Sequence, residues 1–441
     1  MAKKLLSSLV IAVACLHQAA AAPSPAFPGA EGFGAASSGG RGGRVYFVTN
    51  LGDDGPGSLR DAVSQSDRMV LFRVSGTITL VSKLKIAKSN ITIAGQTAPG
   101  GGVCLRGKEL AISGENVVVR FLRIRPGDER GEEHDALTIR DAHHVVVDHC
   151  SMSWSTDSVN DVVRDNSDVT VQWSFITEPL NLSVHHKGAH GYGTGWGSGT
   201  AGGSSYHHNL IAHCNSRSPR LGSEPGAHLD VRNNVIYDMG SGYVYGGEHA
   251  SVNYLANYYK PGPNTKRPEE LFRFSSADTR MYLRDNHVEG QPALTSENFR
   301  GLVADGEVDL DAIVVNVPFD SPRVTTVPAT SAYSLVLKHG GAMLPKRDAV
   351  DERIVTEVES GTGRIIDSQA EVGGWPTLAS VPPPIDSDND GMPDEWERSK
   401  GLDPRDAADG PLTAADGYTN LENYLNQLAA SAMPNFAGVA P

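Results

Sequence analysis

The sequence predicts an all-β chain organised as a right-handed parallel β-helix, with a short N-terminal cap helix and a small C-terminal helical module. Three observations point there. Short β-branched runs recur through the middle of the chain, no helical pattern interrupts them, and asparagines return at one fixed phase of the repeat. Composition agrees: 39% of the 441 residues are apolar, and 48 Gly with 26 Pro supply turns without reaching a low-complexity level. A net charge of −14 with no basic stretch argues against nucleic acid as a partner.

In chain order, Lys3 and Lys4 precede an apolar run from Leu5 to Leu16, and Ala19 and Ala21 form an A-x-A site. This reads as a secretory signal peptide over residues 1–21 and makes the product a secreted protein. Gly39-Gly40-Arg41-Gly42-Gly43 then leads into the apolar run Val45 to Val48, and Ser58-Leu59-Arg60-Asp61 opens the cap helix as a capping-box-like start. Such a helix would shield the open end of the coil, where unpaired strand edges invite aggregation.

The repeats start at Ile91, Val117, Val145, Val169, Leu229, Val252 and Met281. Neighbouring starts lie 23 to 29 residues apart, except for one gap of 60 that holds a further repeat near Ser204 and a Gly-rich insertion. Asn209, Asn234, Asn257 and Asn286 each fall five residues after a repeat start. An asparagine in a left-handed bend can stack on its copies and pair amide to amide, which would tie coil to coil. Cys104, Cys150 and Cys214 sit beside strand-like residues, and the sequence leaves one bridge and buried free thiols as equal alternatives. Beyond Glu289 the repeat fades. Residues 348–358 read as one amphipathic helix, and Val381-Pro382-Pro383-Pro384 as a stiff linker between a domain over residues 22–380 and a module over 381–441.

Charged residues gather in the coils. Asp135, Asp157 and Asp161 lie beside one repeat strand, and clustered carboxylates repel unless a hard, oxygen-loving cation such as calcium sits among them. Lys187, Arg217 and Arg220 fall on the coils that follow. The stretch from Ala26 to Tyr259 resembles the pectate lyases of polysaccharide lyase family one. The resemblance rests on His134-Asp135-Ala136-Leu137, Val147-Asp148-His149-Cys150 with Asp157 and Asp161, His186-Lys187, and Arg217-Ser218-Pro219-Arg220, in that order. It implies β-elimination on α-1,4-linked polygalacturonate by a monomer. Asp135, Asp157 and Asp161 would bind Ca2+, Arg217 would take the C5 proton with Lys187 assisting, and Lys187 and Arg220 would hold substrate carboxylates. Many members carry one more basic residue two positions after the match to Arg220; here that position is Gly222.

The chemistry suits those roles. The C5 proton sits beside a carboxylate and is weakly acidic until cations neutralise that group and the charge that develops on removing the proton. Arginine is protonated at ordinary pH, so a base at Arg217 implies a site crowded with cations or an alkaline optimum. Two alternatives compete: a β-helix pectin hydrolase working through paired carboxylates, and a pectate-binding protein without catalysis. In the C-terminal module, Asp386, Asp388 and Asp390 precede Gly391, with Asp394 at the ninth loop position and Glu397 at the twelfth. That pattern fits an EF-hand-type calcium loop. Prolines replace its first helix, so the loop resembles those of dockerin-like and thrombospondin-type-3-like repeats. Helices over 395–399 and 419–428 would pack on it through Trp396, Leu421 and Tyr424.

Overall fold

The computed structural model describes residues 24–434 and 436, except 201, 223, 241–243 and 307. The expected signal segment over residues 1–21 lies outside the described residues. Among those described, the chain winds into a parallel β-solenoid whose three sheets hold eleven, nine and nine strands. Every ladder pairs a strand with its counterpart one coil away. Val117, Val145 and Val169 are register partners in the first sheet, and the run continues through Ser204, Leu229, Val252 and Met281. Those positions head the repeats read from the sequence, because a side chain buried in one coil meets its equivalent in the next.

The corner after the first sheet explains the asparagines. His208, Asn233, Ala256 and Asp285 adopt left-handed backbone conformations, and the residue after each is a ladder asparagine. Nδ2 of Asn209, Asn234 and Asn257 donates to Oδ1 of the next asparagine at 3.0 Å, and Asn286 continues the chain to Asn298. Toward the N-terminus the ladder passes to Ser174, whose amide donates to Asn209 Oδ1, and then to Cys150, whose amide donates to Ser174 Oγ. Cys150 therefore holds a ladder position. Among the described residues, Cys104, Cys150 and Cys214 are all free and buried, as in the thiol alternative.

The outer faces of two sheets are covered. On the second sheet, Val336 and Leu337 of a helix over Ala329–His339 and Ile354 and Val358 of a helix over Ala349–Ser360 pack on Phe175, Leu210, Val235 and Tyr237. The second helix is anchored by ions: Arg125, fully buried, reaches Asp348 at 2.6 Å and Asp351 at 2.7 Å. On the first sheet, Phe27 and Ala30 cover Val118 and Val146. Met392, Leu421 and Leu425 of the C-terminal segment cover Met69, Leu71 and Ala94. Helices there run over Asp394–Lys400 and Asn420–Ala429, each within a residue or two of expectation. The N-terminal helix is one turn, Leu59–Ala62, with Ser58 Oγ accepting from the Asp61 amide. The third sheet carries the open groove.

Candidate active site

Register on the third sheet brings the candidates to one face. Thr138, Asp161, Gly195, Arg220 and Tyr245 are successive partners across five coils. Ser158, Tyr192 and Ser216 form a second row, three residues before Asp161 and Gly195 and four before Arg220, and Asp135 Oδ1 joins it by accepting from the Ser158 amide at 3.1 Å. Residues far apart in sequence thus meet at roughly the coil spacing of 4.8 Å.

Asp161 is held from two sides. Its Oδ1 accepts from the Gly195 amide at 2.8 Å, and Arg217 Nη1 stands 3.7 Å from Oδ2. A Cβ at Gly195 would sit 2.9 Å from Asp161 Oδ1 and would displace that carboxylate from its present position. Arg217 also donates to Ser158 Oγ at 3.1 Å and lies over the Tyr192 ring at 4.2 Å. Its own backbone is left-handed (φ 56°), an unusual state for a non-glycine residue that turns the side chain across the strand row. Burial pushes the Asp135 carboxyl well above the usual range, and the charge of Asp161 adds to it. Burial raises Asp161 too, with Arg217 opposing. Two half-buried carboxylates in mutual repulsion form a site that a cation would relieve.

A groove of about 540 Å³ runs past these groups, lined by Asp161, Arg164, Arg217, Arg220, Glu224 and Glu248. Arg220 lies in it but is already paired, Nη2 to Glu248 Oε1 at 3.2 Å. Lys187 is exposed and outside the lining of that groove. Its charge is felt by His190, which connects it to Asp157. Asp157 Oδ1 is 3.3 Å from His190 Nε2, and its Oδ2 is 3.8 Å from His185 Nε2. The two imidazoles stack with centroids 3.4 Å apart. The three aspartates are therefore electrostatically linked, yet the close ligand-atom group around Asp157 is made with His185 and His190. The sequence reading passed over both histidines. Their signal, two rings five residues apart in a Gly-rich insertion, has no regular periodicity.

The C-terminal loop forms a tighter cluster. Asp386, Asp388 and Asp390 bring ligand oxygens within 4.8 Å of one another, as do Asp390, Glu397 and Asp409. Glu397 is fully buried, and among the described residues neither of its carboxylate oxygens has a hydrogen-bond partner; Asp388 Oδ2, Asp390 Oδ2 and Asp409 Oδ1 share that condition. Burial, then the charges of Asp390 and Asp388, push Glu397 up to about 7. Orphaned buried carboxylates are costly, and an all-oxygen set of this kind fits calcium. Asp394 turns away, accepting from the Ser387 amide and hydroxyl and pairing with Arg398 at 3.0 Å. Asp409 lies beyond the twelve-residue pattern, so no loop template would find it. Asp386 also pairs with Arg73 of the solenoid at 3.1 Å.

No family-level sequence profile matches the chain. Curated relatives do. A probable pectate lyase C of Aspergillus fumigatus is 36% identical over 436 residues, covering 97% of this chain and 99% of its own length. A protein of the same description from Aspergillus flavus is 35% identical over 442 residues, with the same coverage of both chains. The probable pectate lyase 4 of Arabidopsis thaliana is 33% identical over 159 residues, 34% of this chain and 42% of its own. Among solved structures, the major cedar pollen allergen superposes with a TM-score of 0.51 at 17% identity, covering 71% of this chain and 92% of its own. The thermostable pectate lyase PL 47 gives 0.50 at 14% identity, covering 71% and 97%. Those two speak for the solenoid fold alone. Identity above a third, sustained across almost the full length of the fungal proteins, is what decides descent: this chain belongs to the pectate lyase family and is a polysaccharide lyase.

Proposed function

We propose that the protein is a secreted, calcium-dependent lyase of polysaccharide lyase family one that cleaves polygalacturonate by β-elimination. The observation that carries this is the gathering of Asp135, Asp161, Arg217 and Arg220 on one open face, from coils up to 85 residues apart in sequence. Asp135, Asp157 and Asp161 would hold a calcium ion, and a cation bound there would neutralise the substrate carboxylate beside C5 and make that proton more acidic. Arg217 acts at the proton: the C5–H bond breaks toward a guanidine nitrogen, C4=C5 forms, and the C4–O bond breaks with its electron pair leaving on oxygen. Ser158 and the Tyr192 ring keep that guanidine in place. Lys187 and Arg220 hold flanking carboxylates against an acidic protein. In the C-terminal module, Asp386, Asp388, Asp390, Asp409 and Glu397 would serve a second calcium with a structural role, in the manner of dockerin-like loops, while Asp394, expected as a ligand, instead fixes the loop through Ser387 and Arg398.

Incubation with polygalacturonate should yield products with the ultraviolet absorbance of a 4,5-unsaturated uronate. Arg217→Ala should lower that rate by roughly 10²- to 10⁴-fold, as expected for a lost general base. Saturated products would identify a hydrolase instead. Binding without cleavage would identify a pectate-binding protein.

A further inference from the structure

The groove contains one cation whose chemistry nothing described so far uses. Arg164 follows the strand Ser158–Val163, lines the groove with Arg217 and Arg220, and is exposed. Its backbone is left-handed, at φ 69°. Left-handed arginine is uncommon, and here the bend ends the strand at the groove. Among the described residues its guanidinium has no carboxylate partner and no hydrogen-bond acceptor. The other two arginines are engaged, Arg217 with Ser158 and Asp161, and Arg220 with Glu248.

Register fixes where Arg164 stands. Val162, Trp196 and Leu221 are partners on three successive coils. Gly222 therefore lies one row before Arg164 and two coils away, roughly 10 Å at the coil spacing. The floor between them is backbone. Gly197 occupies the intermediate coil, where a Cβ would come within 2.7 Å of the Gly222 carbonyl oxygen and 2.9 Å of that of Val162. A sugar chain crossing this floor meets no side chain from Gly197 or Gly222, Arg164 on one flank, and Arg220 with its neutralising Glu248 on the other.

We propose that Arg164 binds a substrate carboxylate at this end of the groove and supplies the cationic contact that Gly222 does not. The inference rests on the function proposed above and adds to it a specificity-determining residue. The bound group is a uronate carboxylate, since a guanidinium pairs with that group in two parallel hydrogen bonds. Arg164 touches no reacting atom and is a binding residue.

The test is steady-state kinetics on polygalacturonate for the parent, Arg164→Ala and Arg164→Lys, with thermal melts to verify folding. Exposed charge pairs are worth up to about 1 kcal/mol, so Arg164→Ala should raise KM by roughly five-fold while kcat changes less than KM. Arg164→Lys should recover part of the loss, because it keeps the charge but not the two parallel hydrogen bonds. The rise in KM should shrink at high salt, which screens exposed charges. A parent that turns over normally, with Arg164→Ala showing an unchanged KM or a loss confined to kcat, would overturn this inference alone. A folded parent that produces no unsaturated uronate would overturn the function and this inference with it.

Discussion

His213 lies fully buried between two carboxylates, Nδ1 at 2.9 Å from Asp238 and Nε2 at 3.3 Å from Glu357. Burial disfavours a charged ring, but the two acids and the charge of Glu178 outweigh it and raise His213 to about 9. An unfolded histidine titrates near about 6.5. The folded state therefore gains stability from this proton, fully present below about pH 6.5 and lost as pH rises toward 9. The parent should lose melting temperature between pH 6.5 and 9, and His213→Gln should show a flatter profile from a lower start, by roughly 3 kcal/mol for a broken buried pair. An equally steep profile in the variant would remove His213 as the cause. None of this was visible in the sequence, because Asp238 and Glu357 reach His213 from a neighbouring coil and from a packed helix. Asp161, Arg217 and Arg220 could be named as candidates from the order of their motifs, and register brings them to one face. Arg164, Glu248 and Asp409 belong to no motif and acquire meaning only through register.

The coil corner is the element in which sequence and structure agree most closely. Each ladder amide satisfies a backbone group in a corner closed to water, so a repeated phase in the sequence reports a repeated hydrogen bond in space. In Asn234→Ala, the Asn209 amide and the Tyr206 carbonyl lose their partner. Two orphaned groups at about 1–3 kcal/mol each predict a loss of roughly 2–6 kcal/mol by urea denaturation. Asn234→Ser should cost less, since Ser174 serves in the same ladder; equal losses for Ala and Ser would contradict the ladder account. The other two sheets were scarcely readable. Their strands are often two or three residues long, such as Arg220–Leu221 and Leu210–Ala212, too short to display a period. The helix over Ala329–His339 escaped as well: it starts behind Pro328 with no side-chain cap. The helix over Ala349–Ser360 was readable from its amphipathic pattern, and its cap is Asp348, which accepts from the Asp351 amide.

At the scale of the molecule, three sheets divide the work. The N-terminal segment and the C-terminal helices cover parts of the first, two amphipathic helices cover the second, and the third leaves its outer face to the groove. An acidic chain can hold a polyanion only if cations dominate locally, so the account assigns two calcium populations with separable effects. In the function proposed above, an ion at the groove would govern turnover, whereas one in the C-terminal loop would govern stability, because that segment packs on Met69 and Leu71 and pairs with Arg73. The most direct test is a calcium titration of initial rate and melting temperature in the parent, Asp161→Asn and Glu397→Gln. The account predicts that Asp161→Asn loses calcium-stimulated turnover by 100-fold or more yet keeps the calcium-induced rise in melting temperature, on the order of a few degrees. Glu397→Gln should do the reverse. Full turnover of polygalacturonate by the parent in excess chelator, or by Asp161→Asn at the parent's calcium concentration, would contradict it.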